Sequence, residues 1–266
     1  MIVRKHHRYS VLSVVAILLL QGLIYTLPSS AQQRTRFLHW AYEDAGALVL
    51  EAHPGTVLYV LGSAAVLTSL SPLDPPILEQ VREAYSGGLA TYLDATNELG
   101  GPLATVPVTA LFVASLVTDN ARFQDAAFTS LQALAYSAAI TSGFKILFGR
   151  YRPEADEGAY RFVPFSSNRS LPSGHTSAAF AIVTPWVLYY PNGATYGLFA
   201  LSVGTAVARI ALDKHWPTDV LAGAAIGFLT ARWLTRRHQG AEVGRLSLTP
   251  SAGPHAVSLT LRLRLD

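Results

Sequence analysis

Cysteine is absent from the 266 residues, and charge is scarce. The first absence excludes disulfides, thiolate catalysis and any cysteine-based metal site. The second is as informative: charged residues make up 14% of the chain, against roughly a quarter in an ordinary soluble domain. With so few charges, many helices must be apolar on most of their faces, as in a membrane or a very dry helical bundle. Half of the residues are apolar, which is ample for a large core. A surplus of positive charge is missing too, although the pI of 9.2 suggests one. Arg4, Lys5 and Arg8 supply the whole formal excess of +3, and the rest of the chain is balanced. A nucleic-acid partner is therefore not indicated.

The opening stretch has a basic start, an apolar run over 11–20, and small residues at Ser29 and Ala31. This is the pattern of a secretory signal peptide, or of an N-terminal anchor if it is retained. Either way the chain is sent to the membrane: a membrane is an expected partner and the cell envelope the expected location, with the domain embedded in or associated with the membrane or soluble in the periplasm, and its functional side facing the periplasm or exterior. The chain divides into this leader (1–31), a helical domain (32–240) and a tail (241–266).

Within the domain, a short amphipathic helix ends near Pro54 and an apolar segment covers 56–70. After the break SPLDPP, a more polar helix over 77–99 is interrupted by Gly87-Gly88. Apolar segments then follow at 103–118, 126–148, 176–190, 195–212 and 220–234. Short polar or Pro/Gly links between them predict an all-α antiparallel bundle of about six core helices. The exception is the long arginine-rich link over 149–171, and long ordered loops are commonly functional. In the tail, Val257, Leu259, Leu261, Leu263 and Leu265 alternate with Ser258, Thr260, Arg262 and Arg264. Period two predicts a small β-hairpin.

In so apolar a chain, the polar residues beside helix ends stand out. Three groups do so: Lys145 with Arg152-Pro153; Pro172-Ser173-Gly174-His175; and Arg209 with His215 and Asp219. In an up-down bundle all three belong to one end of the molecule. They would bring three cations, two histidines and a carboxylate into one pocket, a setting suited to phosphate. Ser173 is an N-cap residue, Gly174 lets the backbone approach a ligand, and the free amides of that helix start favour an anion. His175 stands in the same turn. Asp219 follows His215 by four residues, a spacing that lets a carboxylate orient an imidazole for use as nucleophile or base.

Lys-x6-Arg-Pro, Pro-Ser-Gly-His and Arg-x5-His-x3-Asp, in this order, resemble the type 2 phosphatidic acid phosphatase (PAP2) and vanadium haloperoxidase superfamily. The resemblance implies a phosphatase in which His215 attacks phosphorus, Asp219 orients it, and His175 protonates the leaving oxygen. Lys145, Arg152, Arg209 and the amides near Ser173 and Gly174 would hold the phosphoryl oxygens. It implies no metal or other cofactor, although the same pocket accepts vanadate as a phosphate mimic. Substrates would be phosphate mono- or diphosphate esters, such as phosphatidate, isoprenyl diphosphate or a soluble ester. The family usually has Ser where this chain has Ala208. Two alternatives stay open at this stage: a vanadate-dependent haloperoxidase and a non-catalytic membrane protein. His39, His53, His238 and His255 lack partners at ligand spacing, and Glu154, Asp156 and Glu157 are expected to solvate the long link. Arg161 and Arg169 are candidates for a lipid headgroup, with structural roles equally open.

Overall fold

The computed structural model describes residues 31–50, 54–240, 246–253 and 256–263. The leader apart from Ala31, as well as His53 and His255, lies outside the described residues. Nine α-helices occur among them: α1 (Ala31–Leu50), α2 (Pro54–Leu70), α3 (Asp74–Ala84), α4 (Gly87–Asn97), α5 (Thr105–Ser115), α6 (Ala121–Phe148), α7 (Gly174–Tyr189), α8 (Gly193–Ala211) and α9 (Pro217–His238). Two strands, β1 (Leu246–Gly253) and β2 (Ala256–Leu263), pair antiparallel with Leu246 opposite Leu263.

The breaks follow local chemistry. The polar helix expected over 77–99 is two helices, because Gly87 takes a left-handed φ of 53° between α3 and α4. Gly101-Pro102 separates α4 from α5, and the pair bends there by 55°. α6 starts at Ala121, five residues before the apolar run, because the Asn120 side chain accepts from the Phe123 amide and caps it. It ends at Gly149, φ 56°, where a Cβ would lie 1.8 Å from the Val163 carbonyl oxygen. The long link is thereby folded back on the end of α6.

α7 is the central helix and packs on α6, α8 and α9. Small residues permit the closest approach. A Cβ at Gly223 of α9 would lie 2.4 Å from the Ser173 carbonyl oxygen, and one at Gly227 would lie 2.2 Å from that of Ser177. Ala133, Ala181, Ala231 and Leu234 fill the α6–α7–α9 seam. Phe180, Ile210, Trp216 and Val220 join α7, α8 and the start of α9. Phe37 brings α1 against Phe112 and Phe128. By length and composition α6 and α8 can cross a membrane, and the bent α4–α5 pair can form a third span. Leu103, Val106 and Val117, together with Tyr196 and Val203 of α8, leave apolar side chains on the surface. Exposed apolar side chains together with helices of this length are those of a membrane protein.

Candidate active site

The three sequence groups meet where α6 ends and α7 and α9 begin. Lys145, in the last turn of α6, donates from Nζ to the carbonyl oxygens of Arg169 at 2.6 Å and Ser170 at 3.4 Å. Its Cε lies 3.7 Å from the Cβ position of Gly174. Ser173 caps α7: its Oγ accepts from the Thr176 hydroxyl at 3.0 Å, with the Thr176 amide at 3.5 Å. The Ser173 amide donates to the Asp219 carbonyl at 2.8 Å, tying the starts of α7 and α9 together. His175 follows in the first turn of α7, and Gly100 presses on it from the α4–α5 break, since a Cβ there would lie 2.0 Å from the His175 carbonyl oxygen.

Arg209 closes α8. Its carbonyl accepts from the amides of Lys214 and His215 at 3.1 Å each, so the turn hands the chain directly to His215. Its Nη1 donates to Asn97 at 3.1 Å, while Nε is buried without a hydrogen-bond partner among the described residues. His215 is 2% exposed. Its Nδ1 lies 3.7 Å from Asp219 Oδ2, close enough for charge attraction but longer than a hydrogen bond. The spacing of four thus brings carboxylate and imidazole together, although Oδ2 is also engaged by the Ser170 hydroxyl at 2.5 Å and the Trp216 amide at 3.0 Å.

Arg152 is the most open of the three cations. It pairs with Glu154 at 3.2 Å, and Glu154 also binds Lys214, so this acid bridges two cations as well as meeting solvent. The charges are close enough to act on the histidines. His175 is pushed down to about 4, first by burial and then by the positive charges of Arg209, Arg152 and Lys145. Burial pushes His215 down to about 3 against the pull of Asp219. Both are neutral near pH 7.

Arg150 was not singled out in the sequence, where it is one of several arginines in a polar link. It is 2% exposed and forms ion pairs with Asp219 and with Asp74 of the SPLDPP break, each at 2.7 Å. The only sequence signal was an acid between prolines at a helix start. His238, which had no partner in the sequence, is buried at the far end of the bundle, 2.8 Å from Asp44 and 2.7 Å from the Thr129 hydroxyl. His39 forms an exposed pair with Glu43 at 3.2 Å, and Arg161 pairs with Glu157 at 3.4 Å. Ala208 is fully buried against Leu93, in the core behind the pocket. Among the described residues, no group of three or more His, Cys, Asp or Glu is placed to hold a metal ion.

Residues 126–242 match the PAP2 superfamily. A lipid A 1-phosphatase of Porphyromonas gingivalis is 34% identical over 99 residues, covering 36% of this chain and 20% of that protein. A lipid A 1-phosphatase of Rhizobium etli is 31% identical over 97 residues, covering 35% of this chain and 41% of that one. The matched stretch is thus a fifth to two fifths of the length of these relatives. A crystal structure of a transmembrane PAP2-type phosphatidylglycerolphosphate phosphatase from Bacillus subtilis superimposes with a TM-score of 0.54 at 18% identity. It covers 70% of this chain and 96% of that one, so the two share a fold. Residues 126–242, which include all three motif groups gathered at this helix-end pocket, are similar to the PAP2 superfamily.

Proposed function

We propose that this protein is a metal-independent phosphatase acting on lipid phosphate mono- or diphosphate esters, with phosphatidate, isoprenyl diphosphate and lipid A 1-phosphate as the first candidates. The observation that carries this reading is that Lys145 and Arg209 act on both His175, in the first turn of α7, and His215, in the link between α8 and α9, with Arg152 acting on His175 as well. Fixed positive charge around two neutral imidazoles suits a dianion and a nitrogen nucleophile. The relatives named for lipid phosphates, and the apolar spans beside the pocket, favour a lipid substrate over a soluble one.

In this mechanism the neutral His215 attacks phosphorus through Nε2, and the P–O bond to the leaving group breaks with its electron pair moving to oxygen. His175, protonated once the dianion has offset the surrounding cations, gives that oxygen its proton. Positive charge on the phosphorylated imidazole is balanced by Asp219. Water then attacks the phosphohistidine, with His175 as base, to release phosphate and restore His215. Lys145, Arg152, the free Nε of Arg209 and the amides at the start of α7 hold the phosphoryl oxygens, where most of the rate arises. We assign the catalytic domain to 32–240, preceded by an export leader or anchor and followed by the tail 241–266. The pocket is assigned to the non-cytoplasmic side, because Arg122, Arg236 and Arg237 lie at the opposite ends of their helices.

The test is phosphate release by the full chain in detergent and chelator, from phosphatidate, isoprenyl diphosphate, lipid A, a nucleotide and an aryl phosphate. Turnover of at least one lipid phosphate is expected. No release from any of them sinks the reading.

A further inference from the structure

Arg150 lies in the arginine-rich link, yet its surroundings bar it from holding phosphate. Nε donates to the Ala159 carbonyl at 2.9 Å. Nη2 donates to the same carbonyl and to Asp74 Oδ2, each at 2.7 Å. Nη1 donates to the Thr218 hydroxyl at 2.8 Å and to Asp219 Oδ1 at 2.7 Å. The rings of Phe162 and Trp216 flank the guanidinium at 5.4 and 5.6 Å. Every nitrogen is engaged, and none is left for a ligand.

Asp74 is as fully held. It is completely buried, and its Oδ1 accepts from the Thr218 amide at 2.8 Å, one of the free amides at the start of α9. Its Oδ2 accepts from the Thr218 hydroxyl at 2.7 Å and from Arg150. It belongs to α3, more than fifty residues upstream of the stretch that matches the family.

We infer that Asp74 and Arg150 form a charge clamp that positions Asp219 beside His215 while leaving the cluster with one net negative charge. The inference rests on the reading of His215 as nucleophile. Two carboxylates and one guanidinium sum to minus one. Without Asp74, the Arg150 charge would cancel that of Asp219, and the imidazole would lose the counter-charge it needs when it becomes cationic. In a buried cluster, where Asp74, Arg150 and Asp219 are shielded from solvent, such an uncompensated charge matters far more than it would in water. Asp74 is therefore a positioning residue for the reaction, acting through Arg150 and Asp219. A purely structural lock between α3 and α9 would affect stability and leave turnover per folded molecule unchanged.

The variants Asp74→Asn and Asp74→Asn/Arg150→Gln separate these roles, tested in the full chain in detergent below the melting temperature. The single variant keeps the shape but removes the charge, and kcat should fall about ten- to a hundredfold with KM within about twofold, the scale of partners that orient reactive groups. The double variant restores the net charge and should recover at least about fivefold of that loss. If the single variant does not fold, the double variant is compared with Asp74→Asn/Arg150→Lys, which brings back the cancelling charge: kcat at least about fivefold lower with Lys supports the clamp, and equal kcat overturns it. Wild-type kcat in Asp74→Asn, a loss confined to KM or melting temperature, or no recovery in the double variant would each overturn it.

A readout independent of turnover is vanadate, which bonds to an imidazole nitrogen and places positive charge on it. Asp74→Asn should weaken vanadate at least about tenfold while sulfate binding stays within about twofold. Equal weakening of both anions, or of neither, counts against the clamp. If the parent binds vanadate but hydrolyses nothing, the phosphatase reading fails and the clamp is still judged by these affinities. If the parent does not bind vanadate, both fail.

Discussion

His215 is neutral and buried, and its Nδ1 faces Asp219 Oδ2 at 3.7 Å; with the proton on Nδ1, the lone pair lies on Nε2, which is then the nucleophile. His215→Ala should therefore lower phosphate release by about 10⁴-fold or more, with the melting temperature little changed. Near-normal activity in that variant would exclude the nucleophile. The depressed values of His175 and His215 also fix the sign of two pH effects. Between about 6.5 and 4 the unfolded chain takes up protons that the folded pocket refuses, so stability falls as pH falls through that window. Anion binding offsets part of the cause, the charges of Arg209, Arg152 and Lys145, and so must draw a proton onto His175. Sulfate does not itself titrate in this range. Its affinity is expected to rise from pH 7 to pH 5, with proton uptake measurable by calorimetry in buffers of different ionisation enthalpy; a pH-independent affinity contradicts the coupling.

Among the elements, the α4–α5 break bears most directly on the chemistry. Gly100 touches the His175 backbone, where a methyl group has no room: its nearest neighbours at 2.0 and 2.6 Å are main-chain atoms. Gly100→Ala must push α7 or the break aside. The expected cost is about 1–3 kcal/mol of stability and roughly a hundredfold in kcat if His175 moves by an ångström. Gly143→Ala in α6, where nothing lies within 4 Å of the added methyl, is the control and should be neutral or slightly stabilising. Equal behaviour of the two variants in both assays would show that the break does not set the position of His175.

Across the whole molecule, two buried polar networks occupy opposite ends of the bundle. At the far end Asp44 of α1 accepts from Arg237 at 2.9 Å and from Gln132 at 3.0 Å, and lies 2.8 Å from His238, on which Trp40 stacks. Asp44→Ala takes away the carboxylate that Gln132 and His238 hold in a buried network and should cost about 1–3 kcal/mol, measured as a lower melting temperature in detergent. Turnover at low temperature should stay within a few-fold of the parent, because the pocket lies a helix length away. The absence of cysteine makes topology directly testable. Tyr160→Cys, on the exposed part of the long link, should react with a membrane-impermeant maleimide in intact cells if the pocket faces outward. Labelling only after lysis would reverse the orientation.

The sequence by itself determined the candidate chemistry: in a chain with so few polar residues, Lys145, Arg152, His175, Arg209, His215 and Asp219 stood out at helix ends. It also determined most helix positions through the apolar segments and the Ser173 cap of α7, whereas the Asn120 cap, which starts α6 five residues before its apolar run, came to light only in the structure. Only the tertiary structure decided what Asp74 and Arg150 do, which acid holds His238, and that Asp219 serves Arg150, Ser170 and Trp216 as well as His215. Those pairings join residues up to about two hundred positions apart, and no local pattern records them. Their energy comes from burial, which exists only once the helices have packed.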